Sequence, residues 1–306
     1  MNRLPEKDMS ASVRARLLNL ARSSGRNFQE LVIRYTVERF LARLAVSEHR
    51  GRFVLKGAML YVAWKLDDQR TTMDLDLLGF GNPDPDHLIE DLRQICGAPL
   101  ADDGLSFDLQ GITAAPIREG AVYHGVRAII PVRLGVMTVR LQVDVGFGDA
   151  VIPDPKLSEF PSLLADHGPT VRAYRPETVI AEKFNAMVVL GMANSRMKDY
   201  FDIWMLSQRL TFEGRVLREA ILGTFANRLS QLPEDGPIGL SGEFAHNESK
   251  NLQWKGFVKK HKLNDSVPDL DEIVSSIREF LMPVVFSITK SAQVPGVWLP
   301  SNRWED

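Results

Sequence analysis

Two aspartates stand inside an otherwise apolar stretch of the chain. The segment RTTMDLDLL, residues 70–78, places Asp74 and Asp76 two positions apart among methionine and leucine. In an extended strand, residues i and i+2 share a face about 6.6 Å apart, so both carboxylates point together while Leu75 and Leu77 point the other way. Two carboxylates on a half-buried face repel each other and are costly to desolvate. The pattern therefore indicates a site that needs a compensating cation.

A third acid recurs in a similar setting. In VRLQVDVGFGD, Leu141 and Val143 share one face of a predicted strand, and Asp144 projects from the other face. If the strands are neighbours, Asp74, Asp76 and Asp144 form a carboxylate cluster suited to hard divalent cations, of which Mg²⁺ fits best. Such ions activate a hydroxyl and neutralise leaving oxygens in phosphoryl-type transfer. The alternative is that D-x-D marks an ordinary solvated or capping pair.

The segment LKGAML places Gly57, preceded by Lys56, between a predicted strand and a predicted helix. Backbone amides at the start of a helix favour a phosphate group, so this junction is a candidate phosphate site. Most glycines in this position only permit a tight turn, and that alternative stays open.

Two further segments carry charges at helical spacing. In PETVIAEKFNAMVVLG, Lys183 lies three residues after Ile180 within the apolar stripe, so it must either extend to solvent or face an anion. In SRMKDYFDIWML, Asp199 and Asp202 share one helix face, close to Lys198. A solvated salt-bridge face is the ordinary interpretation of that second pattern.

The elements that position these residues change character along the chain. Helical periodicity covers 10–46, short strands and helices follow to about residue 96, and a period of two runs from 107 to 147. After a proline-containing connection the pattern is helical again. The sequence therefore predicts an α+β protein, a sheet with packed helices followed by a helical part. The predicted regions are basic helices at 1–50, a sheet-bearing core at 51–160, a helical domain at 175–285 and an irregular tail at 286–306.

Composition limits the classes of function. The formal net charge is −2, which predicts no general polyanion or membrane partner, although Arg14 to Lys56 holds ten Arg and Lys against three Glu. The single cysteine, Cys96, excludes an internal disulfide and a cysteine-based zinc site. The absence of an apolar run of about 18 residues and of a secretory signal predicts a cytoplasmic protein. The six histidines lack metal-ligand or triad spacing.

Taken in order, LKGAML, RTTMDLDLLGFG, LQVDVGFGDA, ETVIAEKFNAMVVLG and NSRMKDYFDIW resemble the motifs of the AbiEii/AbiGii toxins of abortive-infection toxin–antitoxin systems, which include the MenT nucleotidyltransferases. The resemblance runs from about residue 10 to about residue 285. It implies a DNA polymerase β-like nucleotidyltransferase fold. It also implies transfer of a nucleotide from a nucleoside triphosphate, with Mg²⁺ as cofactor and release of pyrophosphate.

By position, the resemblance makes Gly57 the phosphate-binding glycine, Asp74 and Asp76 metal ligands, and Asp144 the third carboxylate, which holds a metal or helps to deprotonate the acceptor. One departure is Ala58, because many polymerase β-like enzymes carry Gly, Ser or Thr there. Backbone amides must then replace a missing hydroxyl. Thr71 and Thr72 stand where some relatives carry a residue that is phosphorylated for neutralisation; by default they are strand-entry threonines.

The resemblance also gives roles to the helical segments. Lys183 matches a lysine expected to contact the triphosphate, and Asp199 and Asp202 match the D-x-x-D that completes the site. A helical domain that closes over the nucleotide would supply all three residues. The remaining candidates for nucleotide binding are Lys56, Arg70 and Lys198.

For the acceptor, the resemblance implies the 3′ end of transfer RNA or another RNA, and for a partner it implies a winged-helix antitoxin of the AbiEi type. The basic first 56 residues and QWKGFVKKHKL, with Trp254 and Phe257 among lysines, could contact RNA. The alternative is that these aromatics pack inside. Two rival functions remain: a nucleotidyltransferase that modifies a small molecule, and a non-catalytic module that binds nucleotide or RNA.

Overall fold

The computed structural model describes most of the chain in full atomic detail. Contacts between Cα atoms divide it into two compact units, each described by itself below. Unit 1 comprises Met1–Asp149 and Lys156–Tyr174, and unit 2 comprises Ala150–Pro155 and Arg175–Asp306. The described residues are 8–66, 73–117, 124–263, 267–300 and 303–305.

Unit 1 is built on an eight-stranded mixed sheet within the described residues, with the strand order β3-β5-β6-β2-β1-β8-β7 and β4 paired to β5. β1 runs antiparallel to β2, whereas β2 is parallel to β6 and β1 is parallel to β8. The elements of this unit are α1 (Met9–Ser24), α2 (Phe28–Val46), β1 (Phe53–Lys56), α3 (Met59–Ala63), β2 (Leu75–Gly79), α4 (Pro85–Cys96), β3 (Leu105–Phe107), β4 (Thr113–Ile117), β5 (His124–Leu134), β6 (Met137–Phe147), β7 (Lys156–Glu159) and β8 (Thr170–Ala173).

The sheet has two chemically different faces because side chains alternate along each strand. On one face of β2, Leu75 and Leu77 are fully buried, and Val143 and Val145 of the neighbouring β6 are equally buried beside them. Helix α2 contacts β6 and β8, and α1 contacts β5. The opposite face carries Asp76, and the alternation of apolar and acidic residues seen in the sequence is therefore the alternation of the two faces.

A buried ionic cluster fastens α2 to the start of β3. Asp103 accepts hydrogen bonds from Arg43 Nη1 at 2.6 Å and from Arg39 Nε at 2.9 Å, and its backbone oxygen accepts from the Tyr35 hydroxyl at 2.9 Å. The Arg43 guanidinium lies 4.5 Å from the ring centroid of Phe107. Burial by itself would raise the pKa of Asp103, but the hydrogen bonds from Arg43 and Arg39 outweigh burial and lower that pKa below its usual value.

Unit 2 is mainly helical. Helices α5, α6, α7 and α10 form the main packed group. Helix α9 contacts α6, α8 and α10, and α8 also contacts α10. The elements are α5 (Pro176–Leu190), α6 (Met197–Arg209), β9 (Phe212–Glu213), α7 (Gly214–Asn227), α8 (Gly242–Ala245), α9 (Glu248–Lys260), α10 (Leu270–Thr289), β10 (Val297–Leu299) and β11 (Arg303–Glu305).

The C-terminal segment differs from the irregular tail that the sequence suggested at 286–306. Helix α10 continues to Thr289, and β10 and β11 form a small antiparallel sheet with β9. Trp298 is buried against Phe280, with 4.9 Å between ring centroids, and donates its Nε1–H to the Ser207 carbonyl oxygen at 2.8 Å. Each of these short strands contains a single tryptophan, and a single apolar residue gives no periodic pattern. The sequence pattern therefore does not predict the strands.

The fold class predicted from the sequence, α+β with a mixed sheet, flanking helices and a helical C-terminal part, is confirmed. Asp76 lies on β2 and Asp144 on β6, as the alternation of residue types predicted.

Candidate functional site

Four charged residues form one row across four adjacent strands of unit 1, and we call it the charge row. Lys56 on β1 is opposite Asp76 on β2, Asp76 is opposite Asp144 on β6, and Asp144 is opposite Arg127 on β5. Residues paired in register project from the same face, on strands about 4.8 Å apart. Two carboxylates therefore lie side by side with a cation on each outer strand, which is the compensation that the sequence pattern called for.

Gly57 leaves room for one of these carboxylates. Its φ is +69°, in the left-handed region, and a Cβ atom added here would lie 2.0 Å from Asp76 Oδ2 and 2.6 Å from Asp76 Cγ. Any other residue would therefore strain the backbone and push the carboxylate out of place. In the described structure, the glycine of LKGAML leaves the space that the Asp76 carboxylate occupies.

Replacing Gly57 by alanine is expected to reduce any activity that depends on the Asp76 carboxylate at least about 100-fold, because a displacement of about 1 Å at a reacting centre has that effect. Gly25 is a matched control, since it has the same φ of +69° but no atom within 4 Å of an added Cβ. Gly25→Ala carries only the backbone cost, about 1–2 kcal/mol of stability. Equal activity of the two variants, measured at matched fractions of folded protein, would contradict this role for Gly57.

Lys56, at one end of the charge row, is held in place by an acid that the sequence analysis missed. Its Nζ lies 2.9 Å from Asp149 Oδ2, and only 8% of the Asp149 side chain is exposed. A Cβ atom added at Gly146 would lie 3.6 Å from the same Nζ, so the ammonium passes over the bare backbone two residues beyond Asp144. Asp149 directly follows the GFG segment and is distant from Lys56 in the sequence, so only the tertiary structure brings the two side chains together.

Arg127 is the second residue that the sequence analysis missed. It donates from Nε to Asp144 Oδ1 at 2.8 Å and from Nη2 to Asp144 Oδ2 at 2.7 Å. The signal was present in the sequence, because Gly135 and Val136 form a two-residue turn between β5 and β6. A turn of that length fixes the register, and the eighth residue before the turn then faces the eighth residue after it.

Asp74 is the most exposed of the three predicted acids. It precedes β2 directly and is exposed, and no group of three or more His, Cys, Asp or Glu side chains within the described ranges is arranged to hold a metal ion. The predicted nucleotide-binding residue Arg70, together with Thr71 and Thr72, lies outside the described residues. The part of the predicted cluster that the structure brings together is the pair Asp76 and Asp144.

That pair fits the cation that the sequence predicted. Mg²⁺ keeps several waters and is commonly bound by one or two carboxylates together with phosphate oxygens of the substrate. Asp76 and Asp144 supply two hard oxygen donors on one face, and the space that a Cβ would fill at Gly57 is occupied by the Asp76 carboxylate. The donor set thus suits a hard divalent cation that brings further oxygen ligands with it, rather than a cation held in a preformed cage of protein ligands.

Unit 2 contains its own charged group. Lys183 on α5 places Nζ 2.5 Å from Asp199 Oδ1 and 2.9 Å from Asp202 Oδ2, both on α6. The Asp202 side chain is fully buried, and those of Lys183 and Asp199 are 17% and 12% exposed. Lys183 therefore faces anions, as one of the two sequence interpretations required, but the anions here are two carboxylates of this chain. Asp199 and Asp202 point inward rather than forming a solvated face.

The connection into α6 is held by a buried lysine. Lys250 on α9 donates from Nζ to the Asn194 carbonyl oxygen at 2.9 Å and is only 7% exposed. Asn194 in turn accepts the Arg196 N–H at 2.9 Å, just before α6 begins. These contacts fix the start of the helix that carries Asp199. Lys198, predicted to bind nucleotide, is exposed on the same helix.

The segment QWKGFVKKHKL packs mainly as a structural helix. Trp254 is 3% exposed, donates its Nε1–H to the Pro268 carbonyl oxygen at 3.1 Å and stacks on Phe257 at 5.5 Å between ring centroids. Its indole is therefore unavailable for stacking on a base. The lysines of the segment that remain exposed are Lys255, Lys259, Lys260 and Lys262.

The family model of the nucleotidyl transferase AbiEii toxins of type IV toxin–antitoxin systems matches residues 39–276, which is well over half of the chain. The chain belongs to the AbiEii family. The match spans the charge row and the Lys183 group. The mixed sheet with flanking helices and a helical C-terminal part is accordingly the nucleotidyltransferase fold that the sequence predicted.

Two solved structures are similar to this AbiEii chain. One is the crystal structure of JHP933 from Helicobacter pylori, with 17% identity, a TM-score of 0.47, and coverage of 83% of this chain and 90% of that one. The other is a nucleotidyltransferase candidate from H. pylori, with 16% identity, a TM-score of 0.46, and coverage of 85% and 96%. A comparison with curated protein sequences finds no significant match.

Membership of the AbiEii family makes this protein a nucleotidyltransferase and the toxin component of a toxin–antitoxin system. It follows that its substrate is a nucleoside triphosphate and that a cognate antitoxin exists. Across the described part of the chain, no helix is both long enough and apolar enough to cross a membrane.

Proposed function

We propose that this AbiEii toxin transfers a nucleotide from a nucleoside triphosphate to an RNA, with the 3′ end of transfer RNA as the acceptor, and that the modified RNA can no longer support translation. The observation that carries the proposal is the charge row. It presents two carboxylates side by side on a partly exposed face, which is the donor set that a magnesium–triphosphate complex requires.

In the proposed reaction, the acceptor hydroxyl attacks the α-phosphate in line and pyrophosphate leaves. Bound Mg²⁺ would supply Lewis-acid stabilisation of the phosphate oxygens. Asp76 and Asp144 would hold it, with Asp74 completing the set once nucleotide is present. Lys56, held by Asp149 beside the acids, would offset charge on the phosphates. Arg70 is proposed for the same role.

The Lys183 group is proposed to serve the same transfer reaction. Because Lys183 contacts both Asp199 and Asp202, the group carries one cation against two anions. The proposed role of Lys183 is to stabilise charge on the triphosphate, and that of the two aspartates is to hold and orient the ammonium. Lys198, exposed on α6, is the additional nucleotide-binding candidate.

An RNA acceptor is supported by the N-terminal part of unit 1. Helix α1 and the turn after it contain no acidic residue, and their exposed arginines include Arg14, Arg22 and Arg26. Exposed arginines without interspersed acids are typical of surfaces that contact the phosphate backbone. Contacts with phosphates do not depend on the identity of the bases. This surface therefore supports RNA as the class of acceptor rather than a particular RNA sequence.

The direct test is incubation of the purified protein with Mg²⁺, total cellular RNA and each of the four α-labelled nucleoside triphosphates. Label is expected in a band of transfer RNA size, with one triphosphate strongly preferred. Label found only in a small-molecule extract would instead establish the small-molecule nucleotidyltransferase. No label in any fraction, combined with growth arrest that survives Asp74→Ala, would establish the non-catalytic binding module.

A charge-matched pair of variants tests the acceptor surface. Replacing Arg14, Arg22 and Arg26 by glutamine is expected to weaken RNA labelling about tenfold or more at moderate salt, and to flatten its salt dependence. The matched control replaces Lys255, Lys259 and Lys260, which are equally exposed but lie on α9. A loss confined to the control triple would place the acceptor on α9 and contradict the role of α1.

A further inference from the structure

The second acid of the charge row is already occupied by a cation of the protein. Arg127 approaches Asp144 with two parallel hydrogen bonds of 2.8 and 2.7 Å, one to each carboxylate oxygen. Such a two-point contact is the strongest geometry between a guanidinium and a carboxylate. Gln142, on the same face two residues earlier, also lies 3.3 Å from Asp144 Oδ2.

The exposures of the two partners show from which side this contact is made. The Arg127 side chain is 48% exposed, whereas that of Asp144 is 16% exposed. The guanidinium thus covers the carboxylate from the solvent side, where a cation entering from solution would arrive. The guanidinium nevertheless lies at the surface, where solvent and salt screen its charge, so an ion of higher charge can displace it.

A divalent ion and Arg127 therefore compete for the same oxygens. Both are cations, and each needs lone pairs of Oδ1 or Oδ2 of Asp144. Lys56, whose Nζ is bonded to Asp149, adds a second positive charge from the opposite end of the row. The charge row is accordingly neutralised from within before any metal arrives.

We propose that Arg127 is a positioning residue that occupies Asp144 until a divalent ion displaces it, and that it thereby keeps the affinity for the ion low when no nucleotide is present. The inference rests on the proposed function in one respect, namely that Asp144 is a ligand of the ion. Its consequence is that the toxin takes up metal effectively only together with a triphosphate, whose negative charge receives the displaced guanidinium.

The test measures binding of Mn²⁺ alone at low ionic strength, by titration calorimetry or by the electron paramagnetic resonance signal of free Mn²⁺. Arg127→Met removes the charge and retains much of the aliphatic length. It is expected to bind Mn²⁺ about tenfold or more tightly than the wild type, because a cation within contact distance of the ligand has been removed. Adding a non-hydrolysable triphosphate should then raise Mn²⁺ affinity less in the variant than in the wild type.

Arg133→Met is the matched control, because Arg133 is an exposed arginine on the same strand and is opposite Thr138 rather than an acid. Its Mn²⁺ affinity is expected to stay within about twofold of the wild type. Arg127→Lys keeps the charge but cannot make the two-point contact, and an intermediate affinity is expected. If Arg127→Met does not fold, Arg127→Gln replaces it in the same comparison.

Unchanged or weaker Mn²⁺ binding by Arg127→Met overturns the inference, since Arg127 would then orient Asp144 without opposing the ion. Asp144→Asn separates this failure from failure of the proposed function. If Asp144→Asn weakens Mn²⁺ binding while Arg127→Met does not strengthen it, only the competition is wrong. If Asp144→Asn binds Mn²⁺ as well as the wild type, the proposed metal role of Asp144 fails too.

Discussion

Replacing Asp76 by asparagine is expected to reduce the rate of nucleotide transfer about 1,000-fold, equivalent to about 4 kcal/mol of transition-state stabilisation. Asparagine has nearly the same shape, so it fits beside Gly57 and opposite Lys56 and Asp144 as the aspartate does. What it lacks is the negative charge that a divalent ion and the neighbouring ammonium require. The rate is measured as labelled nucleotide incorporated or pyrophosphate released.

The control for this prediction is Asp86→Asn, which removes an exposed carboxylate from the first turn of α4 in the same unit. Its activity is expected to stay within about twofold of the wild type, because surface charges away from the site have small effects. In cells, expression of Asp76→Asn should no longer arrest growth. Full growth arrest by that variant would show that toxicity does not require the carboxylate.

The largest expected effect on stability comes from Asp103→Asn. Removing this charge leaves Arg43 and Arg39 without the carboxylate that both contact, and breaking a buried ion pair in this way costs about 3 kcal/mol. Because Arg43 and Arg39 belong to α2, the attachment of that helix to β3 should weaken first. Urea unfolding followed by circular dichroism, with hydrogen exchange of α2 amides, measures the loss.

The pH dependence of this effect has a definite sign. The pKa of Asp103 is lowered in the folded protein, so its stabilising contribution is complete above the unfolded value of about 3.9 and is lost as the pH falls through the folded pKa. The difference in stability between wild type and Asp103→Asn should therefore be constant near neutrality and shrink below about pH 4. A difference that stays constant down to pH 2 would contradict the assignment.

Much of the fold could be predicted from periodicity because its elements are long and one-sided. The helices at 176–190 and 197–208 show the helical repeat of apolar residues. The strands around Asp76 and Asp144 alternate between apolar and polar residues. Both patterns are strong enough to predict these elements locally. The tail beyond Thr289 could not be predicted, because its two strands are three residues each and depend on tryptophan contacts with helix α10.

For the site, residue types indicated candidate side chains, but not which groups those side chains touch. Asp76 and Asp144 were identified as strand acids, yet the parallel pairing that puts them side by side joins segments far apart in the chain. Lys183 was recognised as a cation in an apolar stripe, but its contacts with Asp199 and Asp202 depend on how α5 packs on α6. Such contacts are tertiary, so no local pattern encodes them.

The distribution of tryptophan gives each unit its own optical signal. Unit 1 contains only Trp64, in edge contact with Tyr61, whereas the other four tryptophans all lie in unit 2. Trp298 and Trp304 are 5.5 Å apart between ring centroids. Intrinsic fluorescence will therefore follow the unfolding of unit 2 almost alone. A melting curve recorded by emission and one recorded by far-ultraviolet dichroism can then diverge, and the gap between them reports how independently the two units unfold.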